Sequence, residues 1–212
     1  MRLAFDGYSA SGKSLAAKLI SKKYKLHLLN SGLLYRYAAF LIIKNKPKNK
    51  ISFLKKKFKN LSYKIVTRMN LHNEEISSYA SIIAKQKKVR DILKEFQKKF
   101  AKKYKKIAIE GRDIASKIMP KADLKIFFRC SVKEKAKRRL KEFKKINKNI
   151  TLKEVEKSLN LRDFSDKNRK ESPLLFVKGA VLVDTTKLTI KQMERKLVKL
   201  VREKLLNKYG NI

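Results

Sequence analysis

The sequence predicts an α/β fold in which a mainly parallel sheet is covered by helices on both faces. Short apolar segments typical of buried strands alternate along the chain with segments whose apolar residues recur at helical spacing. This alternation is characteristic of parallel sheets, because each helix returns the chain to the same end of the sheet. The first apolar segment runs into a glycine-rich loop and then a helix, which supports the same fold class.

The predicted strands and helices are distributed over the length of the chain. Buried strands are predicted at residues 3–5, 26–29, 107–109, 124–128 and 180–183. Helices are predicted at residues 15–20, 33–43, 51–61, 76–83, 89–100, 132–148, 152–168 and 190–201. A small hairpin is predicted from residues 63–66 and 69–71, and a loop at residues 147–150. Thr151 and Glu154 have the spacing of a capping box, which predicts that a helix begins there.

Length and composition favour a single domain without a membrane-spanning segment. The chain has 212 residues, of which 43% are apolar, and this is sufficient for a substantial core. No apolar run is long enough to span a membrane, and we expect no signal peptide because the N-terminus leads directly into a strand. The single cysteine, Cys130, excludes an internal disulfide and is predicted to be a core or strand-end residue. These features favour a cytoplasmic protein.

The chain is strongly basic. It contains 57 Lys and Arg residues against 18 Asp and Glu residues, which gives a formal net charge of +39. Such a balance attracts polyanions, including nucleic acid. Because lysines crowd nearly every predicted helix, we interpret the charge as a preference for lysine on solvated faces. The alternative is a dedicated nucleic-acid surface, whereas our interpretation predicts only non-specific nucleic-acid binding.

A phosphate-binding loop lies near the start of the chain. The pattern of glycine, any four residues and then Gly-Lys-Ser is matched by Gly7-Tyr8-Ser9-Ala10-Ser11-Gly12-Lys13-Ser14. Gly7 and Gly12 permit backbone angles that a side chain would block, so that the amides of the loop can converge on phosphate oxygens. Lys13 supplies a mobile cation for the outer phosphates, and the Ser14 hydroxyl is placed to ligate magnesium. The loop by itself indicates only a nucleoside triphosphate.

Arginines and acids at strand ends and in one helical stretch indicate the class of reaction. They are Arg36, Arg112, Asp113 and the stretch from Arg162 to Arg169, together with the hydroxyl residue Ser31. The Asn-Lys-x-Asp guanine signature of GTPases is absent. Several fixed cations around one phosphate-binding loop suit phosphoryl transfer between two anionic substrates. This reaction depends on charge neutralisation and in-line positioning more than on a covalent nucleophile.

Over nearly its whole length, the sequence resembles the bacterial cytidylate kinase family. The matching segments are Phe5 to Ser14, Asn30-Ser31-Gly32 with Tyr35-Arg36, Ala80-Ser81 with Val89-Arg90, Glu110 to Ile114, Pro120 with Ala122 to Phe127, Arg138-Arg139, Arg162-Asp163 to Asn168-Arg169, Pro173-Leu174, and Asp184-Thr185-Thr186. The resemblance implies a P-loop kinase fold with a five-stranded parallel sheet. It also implies transfer of the γ-phosphoryl group of ATP to CMP or dCMP, with magnesium.

The resemblance also implies a division of the chain and a role for each matching residue. Residues 1–212 would form one kinase domain, with a shortened nucleotide-binding insertion at residues 44–84 and a lid at residues 138–163. Lys13, Arg112 and Arg169 are the implied catalytic residues. Ser31, Arg36, Arg112 and Arg169 would bind the acceptor phosphate, Ser81, Arg90 and Asp113 the cytosine, and Arg162 and Asp166 the sugar. Arg138 and Arg139 would bind ATP from the lid, together with the phosphate-binding loop.

Some positions depart from the family pattern, and two other functions remain open. Asn30 replaces an acid, Ala115-Ser116 replaces Gly-Thr, and Phe164 and Ser165 stand where charged residues are usual. The alternatives are a basic nucleic-acid-binding NTPase and a P-loop kinase of another small acceptor, such as another nucleoside monophosphate or shikimate. We expect a monomer without membrane association.

Overall fold

The computed structural model describes residues 1–144 and 150–209. Within these residues, five parallel strands form a sheet in the order β2-β3-β1-β4-β5. The strands are β1 (Arg2–Gly7), β2 (His27–Asn30), β3 (Ile107–Gly111), β4 (Leu124–Arg129) and β5 (Ala180–Asp184). In the central strand β1, Phe5 pairs with Glu110 of β3 and with Ile126 of β4. The predicted α/β fold with a five-stranded parallel sheet is confirmed.

Helices lie between successive strands, and five of them follow one another between β2 and β3. The helices are α1 (Lys13–Lys23), α2 (Ser31–Asn45), α3 (Lys50–Lys59), α4 (Tyr63–Arg68), α5 (Glu74–Ile83), α6 (Lys87–Lys103), α7 (Val132–Lys144), α8 (Leu152–Asn168) and α9 (Ile190–Tyr209). A π-helical turn, Ile114–Ile118, follows β3. None of the helices in the described residues combines the length and the apolar character that crossing a membrane requires.

The chain divides into two compact units. The first unit comprises Met1–Leu28 and the described part of residues 106–212, and the second unit comprises Leu29–Lys105. The second unit includes residues 44–84, the range predicted to be a nucleotide-binding insertion. That functional role stays a prediction.

The core of the first unit lies between the sheet and the helices α1 and α9. Alternate residues of the strands point to this face, as expected for a pleated sheet. The buried residues that pack there include Leu3, Phe5, Leu124, Ile126 and Phe128 of the sheet, Ala16, Ala17 and Ile20 of α1, and Met193, Leu197 and Val201 of α9. The loop between β1 and α1 therefore joins two elements that both belong to this core.

Aromatic side chains hold the second unit together. The Phe58 ring of α3 contacts the rings of Tyr37 and Phe96 edge-on, with both pairs of centroids 5.9 Å apart. The rings of Tyr63 and Phe100 are also in contact, at 5.5 Å between centroids. Phe58 and Tyr63 are buried, and the half-buried Tyr37, Phe96 and Phe100 pack around them.

The predicted hairpin at residues 63–71 is wrong. Residues 63–68 form the short helix α4 instead. Tyr63 and Val66 are both buried. They are three positions apart, which places them on one side of a helix but on opposite faces of a strand. The Tyr63 hydroxyl also accepts a hydrogen bond from the backbone amide of Asn30, at 2.7 Å.

The other element predictions hold to within a few residues where the structure describes them, except that α9 extends to Tyr209, beyond its predicted end at residue 201. The helix predicted at residues 132–148 is present over Val132–Lys144. Its remaining part, and most of the loop predicted at residues 147–150, lie outside the described residues. Cys130 is buried directly after β4, as predicted for a strand-end residue.

Candidate active site

The phosphate-binding loop connects β1 to α1, and its first glycine is required by close packing. Gly7 has a φ of +149°, and a Cβ atom at this position would lie 2.4 Å from the backbone oxygen of Phe128. Gly12, at the start of α1, has a φ of +83°, in the region that glycine adopts without strain. The sequence pattern therefore reflects the backbone path from the buried strand into the helix.

Hydrogen bonds fix the loop from within and from β5. The Ser11 hydroxyl donates to the backbone oxygen of Tyr8 at 2.8 Å. The Thr185 hydroxyl, directly after β5, donates to the backbone oxygen of Ser11 at 2.9 Å. The loop is therefore held in place by the sheet before any phosphate binds.

Lys13 is buried at the start of α1. Its side chain lies beside Glu110 of β3, with 3.8 Å between Nζ and Oε2, and the residue is 6% exposed. Burial, together with the nearby charge of Arg112, lowers the pKa of Lys13 to about 7, and Glu110 only partly offsets this effect. An anion that binds in the loop would therefore raise the pKa of Lys13 and favour its protonated, positively charged form.

The two predicted catalytic arginines share one carboxylate. Arg112 donates from Nε to Oδ2 of Asp166 at 2.8 Å, and Arg169 donates from Nη1 to Oδ1 of the same residue at 2.9 Å. Although burial acts in the opposite direction, the two arginines and Arg162 lower the pKa of Asp166. Arg112 also reaches the phosphate-binding loop, where Nη2 donates to the Ser9 hydroxyl at 3.0 Å. These residues form a fixed cluster of cations next to the loop.

Asp6 is a structural contributor that sequence reasoning did not place in the site. It is buried at the end of β1 and accepts hydrogen bonds from the backbone amides of Ile114 at 2.9 Å and Ala115 at 2.7 Å. Burial raises the pKa of Asp6 to about 6. These bonds fix the turn that follows Arg112 and Asp113. An acid inside an otherwise apolar strand was the available signal, but its partners are distant in sequence.

The residues around the loop suit a hard cation such as magnesium. Ser14 is exposed at the first turn of α1. Glu110 is buried, and among the described residues its Oε1 has no hydrogen-bond partner. No group of three or more His, Cys, Asp and Glu side chains in the described residues could hold a metal alone. A hydroxyl and a carboxylate beside a phosphate site fit the preference of Mg²⁺ for oxygen ligands completed by phosphate and water.

The two arginines predicted to bind ATP differ in their surroundings. Arg138 donates from Nη2 to the backbone oxygen of Thr185 at 2.8 Å, and its Nη1 would lie 3.8 Å from a Cβ atom on Gly12. Arg138 therefore lies beside the phosphate-binding loop. Each arginine also pairs with an acid on α7, Arg138 with Glu134 at 3.0 Å and Arg139 with Glu142 at 2.8 Å. The Arg139 guanidinium lies 5.0 Å from the centroid of the Phe143 ring.

The predicted acceptor residues of the second unit are arranged on α2, α5 and α6. Arg36 donates from Nε to the Ser77 hydroxyl at 3.3 Å, and the Ser81 hydroxyl donates to the backbone oxygen of Ser77 at 3.1 Å. Ser31 is buried at the first position of α2. The structure therefore brings Arg36 and Ser81 together around one residue of α5.

Arg90 and Asn30 have structural roles within the same unit. Arg90 is only 1% exposed, donates from Nη1 to the backbone oxygen of Ala84 at 3.0 Å, and stacks on Tyr35 with 5.5 Å between guanidinium and ring centroid. Asn30 accepts a hydrogen bond from the backbone amide of Leu33 at 3.0 Å and so caps α2. Asparagine is among the residues preferred at this helix position.

The sheet and the phosphate-binding loop define a P-loop kinase fold. The sequence belongs to the cytidylate kinase family, since the family model for cytidylate kinase matches residues 3–203. The chain is 35% identical to a cytidylate kinase of Thermosipho melanesiensis over 212 residues, covering 96% of this chain and 97% of that one. It is 36% identical to a cytidylate kinase of Mesomycoplasma hyopneumoniae (strain 7448) over 217 residues, covering 97% and 95%. The resemblance read from the sequence is confirmed.

Solved structures with low sequence identity share the fold. An uncharacterized protein from Eubacterium ventriosum ATCC 27560 superposes with a TM-score of 0.56 at 16% identity, covering 95% of this chain and 97% of that one. The crystal structure of TT1252 from Thermus thermophilus gives a TM-score of 0.51 at 15% identity, with 95% and 96% covered. At this identity the likeness concerns the fold alone.

Proposed function

We propose that the protein transfers the γ-phosphoryl group of ATP to CMP and dCMP, with magnesium, and releases ADP and the nucleoside diphosphate. Membership of the cytidylate kinase family supports the acceptor. The observation that carries the proposal is the position of Arg112, whose guanidinium contacts both Asp166 and Ser9 of the phosphate-binding loop. An arginine fixed at the donor loop is suited to stabilise charge on a phosphoryl group in transfer.

The donor is bound by the phosphate-binding loop and Arg138. The backbone amides of the loop and the positive end of α1 attract the triphosphate. Lys13 provides the charge nearest the transferring group, and Arg139 adds a second cation on α7. Magnesium, when bound with ATP, would neutralise part of the triphosphate charge; the Ser14 hydroxyl would hold it, and Glu110 would serve as an acceptor for its water ligands.

In this proposal, the acceptor is bound by the residues that match the acceptor-binding positions of the family. Ser31, Arg36, Arg112 and Arg169 bind its phosphate, while Arg162 and Asp166 contact the sugar. A phosphate oxygen of CMP attacks the γ-phosphorus in line, and the bond from that phosphorus to the bridging oxygen of ADP breaks. We propose that residues 138–163, of which residues 145–149 lie outside the described part of the chain, act as a lid during this step. Closure of the lid would exclude water as a competing acceptor.

Ser81, Arg90 and Asp113 are proposed to select the base, and residues 44–84 to form the nucleotide-binding insertion around the acceptor. Cytosine presents an amino donor and a ring-nitrogen acceptor, which complement a carboxylate and an arginine. We also propose that the enzyme acts as a cytoplasmic monomer.

A panel of nucleoside monophosphates, assayed with ATP and magnesium for ADP release, tests the proposal. We expect turnover with CMP and dCMP, and a decrease of about a hundredfold or more in Lys13→Ala, because its ammonium stabilises the charge of the transferring group. If another small acceptor is turned over faster than CMP, that acceptor would be the substrate instead of CMP. ATP hydrolysis that depends on nucleic acid, without phosphorylation of any monophosphate, would favour the nucleic-acid-binding NTPase.

A further inference from the structure

Two buried charged residues that were given no binding role of their own in the sequence analysis lie against the phosphate-binding loop. Asp163 of α8 and Lys135 of α7 form an ion pair, with 2.5 Å between Oδ2 and Nζ. Asp163 is 8% exposed and Lys135 is 3% exposed. Burying two charges costs free energy unless each is well paired, so the pair needs further partners.

Both members of the pair contact the loop. Oδ1 of Asp163 accepts a hydrogen bond from the backbone amide of Ser9, at 2.8 Å. Nζ of Lys135 lies 5.4 Å from the centroid of the Tyr8 ring. Two helices therefore contact two successive residues of the loop. The hydroxyl of Ser9 also accepts a hydrogen bond from Arg112.

The charges of the pair are arranged for a site that binds phosphates. A buried backbone amide needs an acceptor, and the Asp163 carboxylate supplies one. A lone carboxylate at this position would repel a triphosphate, but the ammonium of Lys135 neutralises it. The combination satisfies the Ser9 amide without adding net negative charge to the loop.

We propose that Asp163 is a positioning residue for the donor triphosphate. Its carboxylate fixes the Ser9 amide, and Lys135 neutralises the charge of that carboxylate. The proposal rests on the proposed function, since it takes ATP as the ligand of the loop. It makes the packing of α7 against α8 a determinant of the loop conformation. Loss of the acceptor at position 163 should therefore weaken ATP binding even where the protein stays folded.

Two double variants isolate the hydrogen bond from the ion pair. Lys135→Met with Asp163→Asn removes both charges but retains an acceptor for Ser9, whereas Lys135→Met with Asp163→Leu removes both charges and the acceptor at similar side-chain volume. We expect the Asn variant to bind Mg-ATP within about threefold of wild type, and the Leu variant to bind about tenfold more weakly. Isothermal titration calorimetry without CMP measures both dissociation constants.

A control variant and a backbone measurement exclude a general effect on charge or folding. Lys137 is exposed on the same helix, so Lys137→Met makes the same charge change as Lys135→Met and should leave ATP binding unchanged. The exchange rate of the Ser9 amide hydrogen, measured by NMR, should stay slow in the Asn variant and increase about tenfold or more in the Leu variant.

A third comparison decides the matter if the Leu variant does not fold. Lys135→Met alone leaves the Asp163 carboxylate uncompensated and should weaken ATP binding by about tenfold, and adding Asp163→Asn should restore it. Equal ATP affinity in the Asn and Leu variants, or no rescue by Asn, would overturn the proposed role of Asp163. A wild-type protein that does not bind ATP would instead refute the proposed function, so the two failures are distinguishable.

Discussion

At the scale of single residues, Lys13 combines burial with a charge that the proposed reaction needs. Burial and Arg112 lower its pKa to about 7, whereas an unperturbed lysine has a value of 10.5. In the free protein, Lys13 therefore loses its proton as the pH rises through about 7. A bound triphosphate places negative charge against the amine, which raises the pKa again and returns the proton.

We expect ATP binding at pH 8 to take up about one proton per site, because Lys13 is mostly neutral before binding and charged after it. Calorimetric titrations in buffers of different ionisation enthalpy measure the number of protons. Lys13→Arg is the control, since arginine stays charged in both states and should abolish the uptake. Wild-type binding with no proton uptake at this pH would show that Lys13 is already charged in the free protein.

Asp113 and Arg90 are expected to determine the preference for the base. An ionised Asp113 can only accept, which suits the cytosine amino group and opposes the uracil carbonyl, and Arg90 can only donate, which suits the bare ring nitrogen of cytosine. Two mismatched polar contacts predict a preference for CMP over UMP of about a hundredfold or more in kcat/KM. Asp113→Ala and Arg90→Met should each collapse this ratio, mainly through loss of CMP activity.

Steady-state kinetics with both nucleotides check this prediction, together with the melting temperature of each variant. If the two residues served only to stabilise the fold, Asp113→Ala would lower the melting temperature and leave the CMP-to-UMP ratio unchanged. A wild-type ratio near one would remove the reason for choosing a cytidylate kinase over a general pyrimidine kinase.

At the scale of elements, the start of α8 is set by the predicted capping box. The Glu154 carboxylate accepts the backbone amide of Thr151 at 2.8 Å, and the Thr151 hydroxyl accepts the backbone amide of Glu154 at 3.3 Å. The prediction made from the spacing of these two residues is confirmed. The same helix carries Asp163 and Asp166 in its last turns, so the capping box stabilises the helix that positions these two carboxylates.

Thr151→Ala should lower the free energy of unfolding by about 1 kcal/mol, because the helix loses a side-chain cap while no buried volume is removed. Urea denaturation monitored by circular dichroism measures the change. Lys153→Ala, at an exposed position of the same turn, is the matched control and should change the stability by less than about 0.5 kcal/mol. A Thr151→Ala variant as stable as this control would indicate that the cap contributes little.

At the scale of the whole molecule, the charge is spread over many surfaces. Basic residues exceed acidic ones by 39, and exposed lysines occur on helices in each of the two units. Some of these lysines form exposed ion pairs, such as Lys99 with Glu95 at 2.7 Å. A field produced by dispersed charges attracts polyanions without selecting a sequence.

We expect duplex DNA to bind loosely and without sequence preference, and the affinity to fall by about a thousandfold or more between about 50 mM and 200 mM salt. Fluorescence anisotropy with two unrelated duplexes over this range measures both properties. Tight binding to one duplex that persists at physiological salt would favour a dedicated nucleic-acid surface.

Short-range patterns were sufficient to predict most of the secondary structure. Alternating apolar segments predicted the strands, and the glycine pattern predicted the loop between β1 and α1, because both depend on backbone sterics and local side-chain spacing. The prediction for residues 63–71 was wrong because it used only this local spacing. A short apolar run fits a strand or a helix equally well, and only burial of Tyr63 and Val66 against their neighbours decided it.

The sequence by itself determined the family, the phosphate-binding loop and the residue types available for phosphoryl transfer. The tertiary structure decided which of these residues touch. Ser9 and Asp163 are 154 positions apart, and Asp6 and Ile114 are 108 apart, yet both pairs share buried hydrogen bonds. No local pattern encodes such pairs, because their geometry is fixed only when the sheet, α8 and the turn after β3 have packed and each buried polar group must find a partner.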